Sequence, residues 1–239
     1  MKNKQYIGVT GITSLNDVEN MTKALDGHYG MYGILMSKKR LDMQLPERRW
    51  AGIESIPYLM KAMPNDSLRT IHWCSNDFNL IDIFRAIEIT GDKCNTIQLN
   101  LFYPPVSGLE LMKSRYPNMK IIFQIEKDMF ENPKIMKKKI KPYESLVDYV
   151  ILDQSMGAGI SIDEKISRAV AEELQDLDFG LVLAGGLTAN KVKDIGSLIR
   201  EFNASVDAEG QLMNSKNTLD NTIVKDYITT AIDEMHNKK

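Results

Sequence analysis

Residues 180–199 read Gly-Leu-Val-Leu-Ala-Gly-Gly-Leu-Thr-Ala-Asn-Lys-Val-Lys-Asp-Ile-Gly-Ser-Leu-Ile, and the fold assignment starts here. Leu181 to Ala184 is a short apolar run without the polar alternation of a half-exposed strand, the pattern of a strand covered on both faces. Gly185 and Gly186 then punctuate the chain. Thr188 offers a side-chain oxygen to the open amides of a helix, whose apolar residues Val192, Ile195, Leu198 and Ile199 recur at three and four. The segment is one strand, a glycine turn and a capped amphipathic helix.

Working outward, the same unit repeats along the chain. Short apolar runs at Tyr6–Val9, Tyr32–Leu35, Thr70–Trp73, Thr96–Leu99, Lys120–Ile125, Tyr149–Leu152, Gly180–Leu183 and Ser205–Asp207 are expected strands. Helical stripes lie between them, such as Leu15, Val18, Met21 and Leu25, or Ile166, Val170 and Leu174, with start signals at Thr13 or Ser14, Ser161 or Asp163, and Thr188. Parallel strands need crossover connections, and eight strand–helix units in 239 residues match a single-domain (β/α)8 TIM barrel spanning residues 1–239. A doubly wound open sheet is the alternative, but it usually needs fewer units. No Pro/Gly/Ser-rich linker marks a domain boundary.

Composition excludes several classes. With 30 Lys and Arg against 32 Asp and Glu, the formal charge of -2 offers no global attraction for a phosphate backbone, so nucleic acid is not an expected partner. The dense basic run Lys134–Lys141 reads as the solvated face of a helix, with Ile135, Met136 and Ile140 on its buried edge. Cys74 and Cys94 make no disulfide framework. The N-terminal stretch lacks a secretory pattern, and no apolar run approaches the roughly 18 residues of a membrane span. A cytoplasmic location and no membrane partner are expected. Three scattered histidines, His28, His72 and His236, provide no metal-ligand spacing, and no cofactor is expected.

In such a barrel, chemistry sits where strands end, and phosphate is often held by the loops after strands seven and eight. Three glycine-bearing loops follow strands six, seven and eight: Gly157 and Gly159, Gly185 and Gly186, and Gly210. Together they point to an anionic ligand; each alone is a turn. Asp153 closes strand six and reads either as a general acid, its proton held by apolar surroundings, or as a capping residue. Asp207 closes strand eight with the same ambiguity between a working carboxyl and a loop anchor. Arg40, after strand two, has the planar fork to meet a carboxylate. Cys74 is either a thiolate base or a small buried residue, and His72 reads as a core or helix-facing histidine.

These residues resemble the phosphoribosylanthranilate isomerase family, single-domain barrels of tryptophan biosynthesis. Ile7-Gly8-Val9-Thr10-Gly11-Ile12-Thr13 is similar to the family's first strand and turn, which contains K-I-C-G-I-T. Tyr32 to Leu35 with Ser37 to Arg40 resembles its second strand and arginine loop, and Ile97-Gln98-Leu99-Asn100 its V-Q-L-H. Leu152-Asp153 and Gly157 to Asp163 resemble L-L-D and G-T-G-K-T-F-D. Leu183 to Asn190 resembles L-A-G-G-L-T-P-E-N, and Val206-Asp207 begins V-D-V-S-S-G. The matches keep chain order from residue 6 to about residue 210.

The resemblance implies a phosphorylated sugar ligand and an Amadori rearrangement with Asp153 as acid, Gln98, Arg40 and Asp207 toward the substrate, and the glycine loops toward phosphate. The family's base is a cysteine, and that position is Thr10 here. A threonine hydroxyl is a poor proton shuttle, and general acid–base steps commonly supply about 10²–10⁴-fold. Asn100 replaces the motif histidine, Ile160 the glycine-loop lysine, and Glu209 a small hydroxyl residue. Three expectations follow: an isomerase-like enzyme whose base is Cys74 or Asp207; a ligand-binding relative without turnover; or another isomerase, epimerase or lyase of a phosphosugar.

Overall fold

All eight apolar runs become strands, with ends shifted by a few residues: β1 (Ile7–Thr10), β2 (Gly30–Met36), β3 (Leu68–Cys74), β4 (Thr96–Asn100), β5 (Lys120–Gln124), β6 (Tyr149–Asp153), β7 (Gly180–Ala184) and β8 (Ser205–Ala208). The computed structural model describes residues 3–43, 49–75, 78–100, 104–125, 127–153 and 162–237. Neighbouring strands pair in parallel in chain order, and β8 closes on β1 through Ile7–Val206, Gly8–Asp207 and Val9–Ala208. Closure excludes the open doubly wound sheet.

The helices are α1 (Leu15–Leu25), α2 (Lys38–Met43), α3 (Ile56–Ala62), α4 (Leu80–Ile89), α5 (Val106–Arg115), α6 (Pro133–Ile140), α7 (Glu164–Leu174), α8 (Ala189–Asp194), α9 (Gly196–Glu201) and α10 (Asn221–His236). Their starts follow the capping signals. The Ser14 hydroxyl accepts from Asp17 N while the Asp17 carboxylate accepts from Ser14 N at 2.9 Å, a reciprocal box that satisfies two otherwise open amides. Asp163 caps α7 and Thr188 caps α8; Ser161 lies outside the described residues. The apolar stripes are narrower than their spacing suggests, since Leu15, Ile135 and Ile166 stand exposed at 58%, 50% and 40%. On α6, Met136 and Ile140 are buried, while Lys137 pairs outward with Glu173 and Asp176.

Alternation divides the buried side chains into two cores. Residues such as Val9, Trp73, Leu99, Phe123 and Leu152 face the helices. Each fully buried side chain of this size contributes about 1.5–3 kcal/mol. The opposite parity fills the barrel: Tyr6, Met31, Leu68, Ile122, Tyr149, Ile151, Val182 and Ala184 pack together. Toward the carboxyl ends the inward side chains turn polar, through Thr10, His72, Gln98, Gln124, Asp153 and Asp207, all buried. An apolar plug beneath a polar layer places the chemistry at one end.

Candidate active site at the barrel mouth

The polar layer floors a cavity of about 490 Å³ at the carboxyl ends of the strands. Strand register sets its geometry. Asp153 pairs with Ala184 across β6 and β7, and Ala184 pairs with Asp207 across β7 and β8. The two carboxylates therefore stand at one level, separated by a single strand bearing only a methyl group. Two strand spacings put their backbones about 9–10 Å apart. The Gln124 amide on β5 donates to Asp153 Oδ2 at 3.3 Å and fixes its direction.

Asp207 is 6% exposed, and its Oδ1 has no hydrogen-bond partner. Burial raises its carboxyl to about 7, and the negative charge of Asp153 adds to the rise. Gln98 and Thr10 act in the opposite direction. Gly8, its register partner, makes the space: a Cβ there would stand 2.8 Å from Asp207 Oδ1.

Directly above, Gly185 and Gly186 line the cavity with φ of +105° and +59°, conformations that L side chains rarely adopt. The turn leads into α8, whose six residues begin at Ala189. Gly210 also lines the cavity, at the start of a short 3-10 turn, Gly210–Leu212. Gly157 and Gly159 lie outside the described residues.

The far side of the mouth contains residues that the sequence reading placed elsewhere. His72, expected in the core or against a helix, points into the cavity. Its Nε2 accepts from the Asn100 amide at 2.5 Å, which assigns the ring proton to Nδ1, 4.0 Å from Glu209 Oε2. Burial, reinforced by Arg49, lowers the imidazole to about 3, so it is neutral. Strand parity with Leu68 and Thr70 is the signal that would have found it. Cys74 lines the same side, but burial pushes its thiol up to about 12 against a small opposing effect of Arg49. It is a thiol at neutral pH, which removes the thiolate base.

Arg40 does not line the cavity. It is buried on α2, where Nη2 donates to the Ala51 carbonyl at 3.0 Å. The cavity arginine is Arg49, nine residues further along the same connection, and it forms an ion pair with Glu209 of the β8 loop. The Arg48-Arg49-Trp50 run in that connection is the available sequence signal. Among the described residues, no group of three His, Cys, Asp or Glu side chains can hold a metal ion, and no helix is long and apolar enough to cross a membrane.

The closed parallel barrel defines a (β/α)8 protein, with a glycine-rimmed mouth and two carboxyls forming a candidate site at the strand ends. No family model matches the chain. It is 24% identical over 230 residues to the N-(5'-phosphoribosyl)anthranilate isomerase of Pyrococcus abyssi, covering 95% of this chain and 97% of the relative. It is 30% identical over 156 residues to the enzyme of that name from Methanococcus aeolicus, covering 62% of this chain and 67% of the relative. A crystal structure of phosphoribosyl anthranilate isomerase in complex with reduced 1-(o-carboxyphenylamino)-1-deoxyribulose 5-phosphate superposes with a TM-score of 0.67 at 17% identity, covering 96% of this chain and 99% of that one. The chain belongs to the phosphoribosylanthranilate isomerase family, as a divergent member.

Proposed function

We propose that this chain binds N-(5'-phosphoribosyl)anthranilate at the barrel mouth and isomerises it to the 1-amino-1-deoxyketose by an Amadori rearrangement. The observation that carries the reading is the pair Asp153 and Asp207, level with each other on either side of Ala184 and beneath the Gly185–Gly186 turn. The phosphate belongs at that turn and at Gly210, where exposed backbone amides suit an anion. The loop containing Gly157 and Gly159, outside the described residues, is assigned the same role by its sequence motif.

Asp153, oriented by Gln124, is the general acid. Its proton goes to the furanose ring oxygen as the bond from that oxygen to the first sugar carbon breaks, with the nitrogen lone pair forming an iminium. The second sugar carbon then loses a proton, and the resulting enol amine becomes the ketone. Gln98 meets the sugar hydroxyls from the cavity floor. Arg49, which reaches the cavity where Arg40 does not, receives the anthranilate carboxylate with its planar fork.

Incubation of the purified protein with N-(5'-phosphoribosyl)anthranilate should remove the substrate's fluorescence at a rate that Asp153→Asn lowers sharply. Persistent turnover in that variant would remove Asp153 from the mechanism. A second reading, ligand binding without turnover, is favoured by Thr10 in place of cysteine and by the Arg49–Glu209 pair. It predicts calorimetric binding of the reduced product analogue without any loss of substrate.

A further inference from the structure

We propose that the proton acceptor of this chain is the Asp207 carboxylate on β8, so that the base has moved to the strand adjoining the one that bears it elsewhere in the family. The proposal rests on the isomerase reading above and assigns its unfilled role.

Three geometric facts place Asp207 there. Its side chain lines the cavity, is more than nine-tenths buried, and has an Oδ1 free of hydrogen bonds. Gly8 leaves that oxygen unobstructed from β1, since even a methyl group would crowd it at 2.8 Å. Finally, the alternation of β1 puts Thr10 on the same inward face as Gly8, beside Asp207. The strand position that holds the family's cysteine and the Asp207 carboxylate thus border the same volume.

The competing groups are unsuitable. Cys74 holds its proton to about 12 and His72 loses its own at about 3, so neither is a useful base near neutrality. Glu209 is held by Arg49. Facing Asp207 are Asp153 from β6, Tyr6 just before β1 and Tyr227 from α10; both tyrosines are themselves pushed upward and remain neutral. A carboxyl at about 7 is partly ionised and still basic at neutral pH.

The step balances within the substrate. Asp207 takes the proton on the second sugar carbon, the C–H pair becomes the double bond to the first carbon, and the iminium pair returns to nitrogen. Tautomerisation sends the enol proton from oxygen to the Asp153 carboxylate, replacing the one it gave to the ring oxygen, and the proton on Asp207 passes to the first carbon, which restores the Asp207 carboxylate.

The test compares wild type, Asp207→Asn and Asp153→Asn with substrate carrying hydrogen or deuterium at the second sugar carbon. Asp207→Asn should lower kcat at least 100-fold, leave KM within a few fold, and enlarge the isotope effect on kcat, because C–H cleavage becomes the slow step. Asp153→Asn should lower kcat with the isotope effect suppressed, because ring opening becomes slow. If wild type turns over and Asp207→Asn stays within threefold of it, the assignment to Asp207 fails and the isomerase reading stands. A large loss without a raised isotope effect gives Asp207 a structural role and overturns the proposal. Wild type without turnover overturns the isomerase reading, and the base role with it. Should Asp207→Asn lose binding of the reduced product analogue, Asp207→Glu decides: recovery of turnover supports the proposal, and recovery of binding alone overturns it.

Discussion

The two sides of the mouth are built by different means. On the β6 to β8 side, Asp153, Ala184 and Asp207 share one register level at strand ends, and the double-glycine turn follows directly. On the β2 to β4 side, Arg49 comes from a long connection, and His72, Cys74 and Asn100 come from inward positions of two strands. The first side offers backbone geometry and two carboxyls; the second offers a cation and neutral polar groups. In the proposed reading, proton transfer and phosphate binding fall to one half of the cavity, and recognition of the remaining part of the ligand to the other.

The division breaks most readily at Asp153. Replacement by Asn keeps the shape and the acceptor oxygen for Gln124 while removing the proton to be donated. The expected loss in kcat is about 10²–10⁴-fold with little change in binding of the reduced product analogue. A variant that keeps kcat and loses binding would move Asp153 to ligand recognition and erase the contrast between the two halves.

Asp207 gives the next largest effect, in stability. Its carboxyl lies at about 7 in the folded chain against an ordinary 3.8. The native state thus holds a proton that the unfolded state releases between these values. That contribution is complete below about pH 4 and is lost as pH rises through 7, with an upper size of roughly 2–4 kcal/mol. Denaturant unfolding at pH 5 and pH 8 should show a smaller pH-dependent decline in Asp207→Asn than in wild type. Equal declines in the two proteins would mean that Asp207 is ionised at both pH values.

The same contrast explains what could be read from sequence. Continuous apolar runs such as Tyr149–Leu152 mark strands buried on both faces, so the closed sheet and its carboxyl rim were legible, and Asp153, Asp207 and the Gly185–Gly186 turn came with it. Thr10 and Gln98 follow from their place on those strands. Arg40 and Arg49 share one connection, and sequence spacing alone does not say which guanidinium turns inward; the fold puts Arg40 against the Ala51 carbonyl. His72, inside a strand, reads from sequence as a core or helix-facing histidine, yet its neighbours Ile71 and Trp73 face the helices and the imidazole, by parity, faces the cavity. A dissociation constant set by burial, such as that of Cys74, depends on atoms brought from several strands and leaves no mark in local sequence.

Gly33 tests the seam where β1 meets β2, between the two halves. A Cβ there would stand 2.4 Å from Thr10 Oγ1 and 3.0 Å from Thr10 Cα, so part of the obstruction is backbone that does not swing away. Gly33→Ala should cost about 1–3 kcal/mol of unfolding free energy, seen as a lower thermal midpoint. An unchanged midpoint would show that β1 shifts freely against β2, and that the register relating Gly8 to Asp207 is less fixed than its pairing indicates.

The smallest effect concerns a contact that spans both halves, the Arg49–Glu209 ion pair. Its side chains are 35% and 24% accessible, so water screens the attraction and a large contribution to folding is not expected. Its consequence is for ligands. Glu209 occupies the guanidinium that would receive a carboxylate and puts a negative charge in the same loop as Gly210. At about 6 Å in water-like surroundings, two unit charges repel by roughly 0.7 kcal/mol, or about threefold in affinity, and somewhat more at a partly buried mouth. Glu209→Gln should tighten binding of the reduced product analogue about 3–10-fold in low salt, with the gain shrinking as salt is added. Arg49→Ala should weaken binding, and the double variant should recover only the part of the gain that comes from relieved repulsion at the glycine turns. Weaker binding in Glu209→Gln itself would mean that the carboxylate holds the ligand directly, through its hydroxyls, and that β8 serves recognition as well as proton transfer.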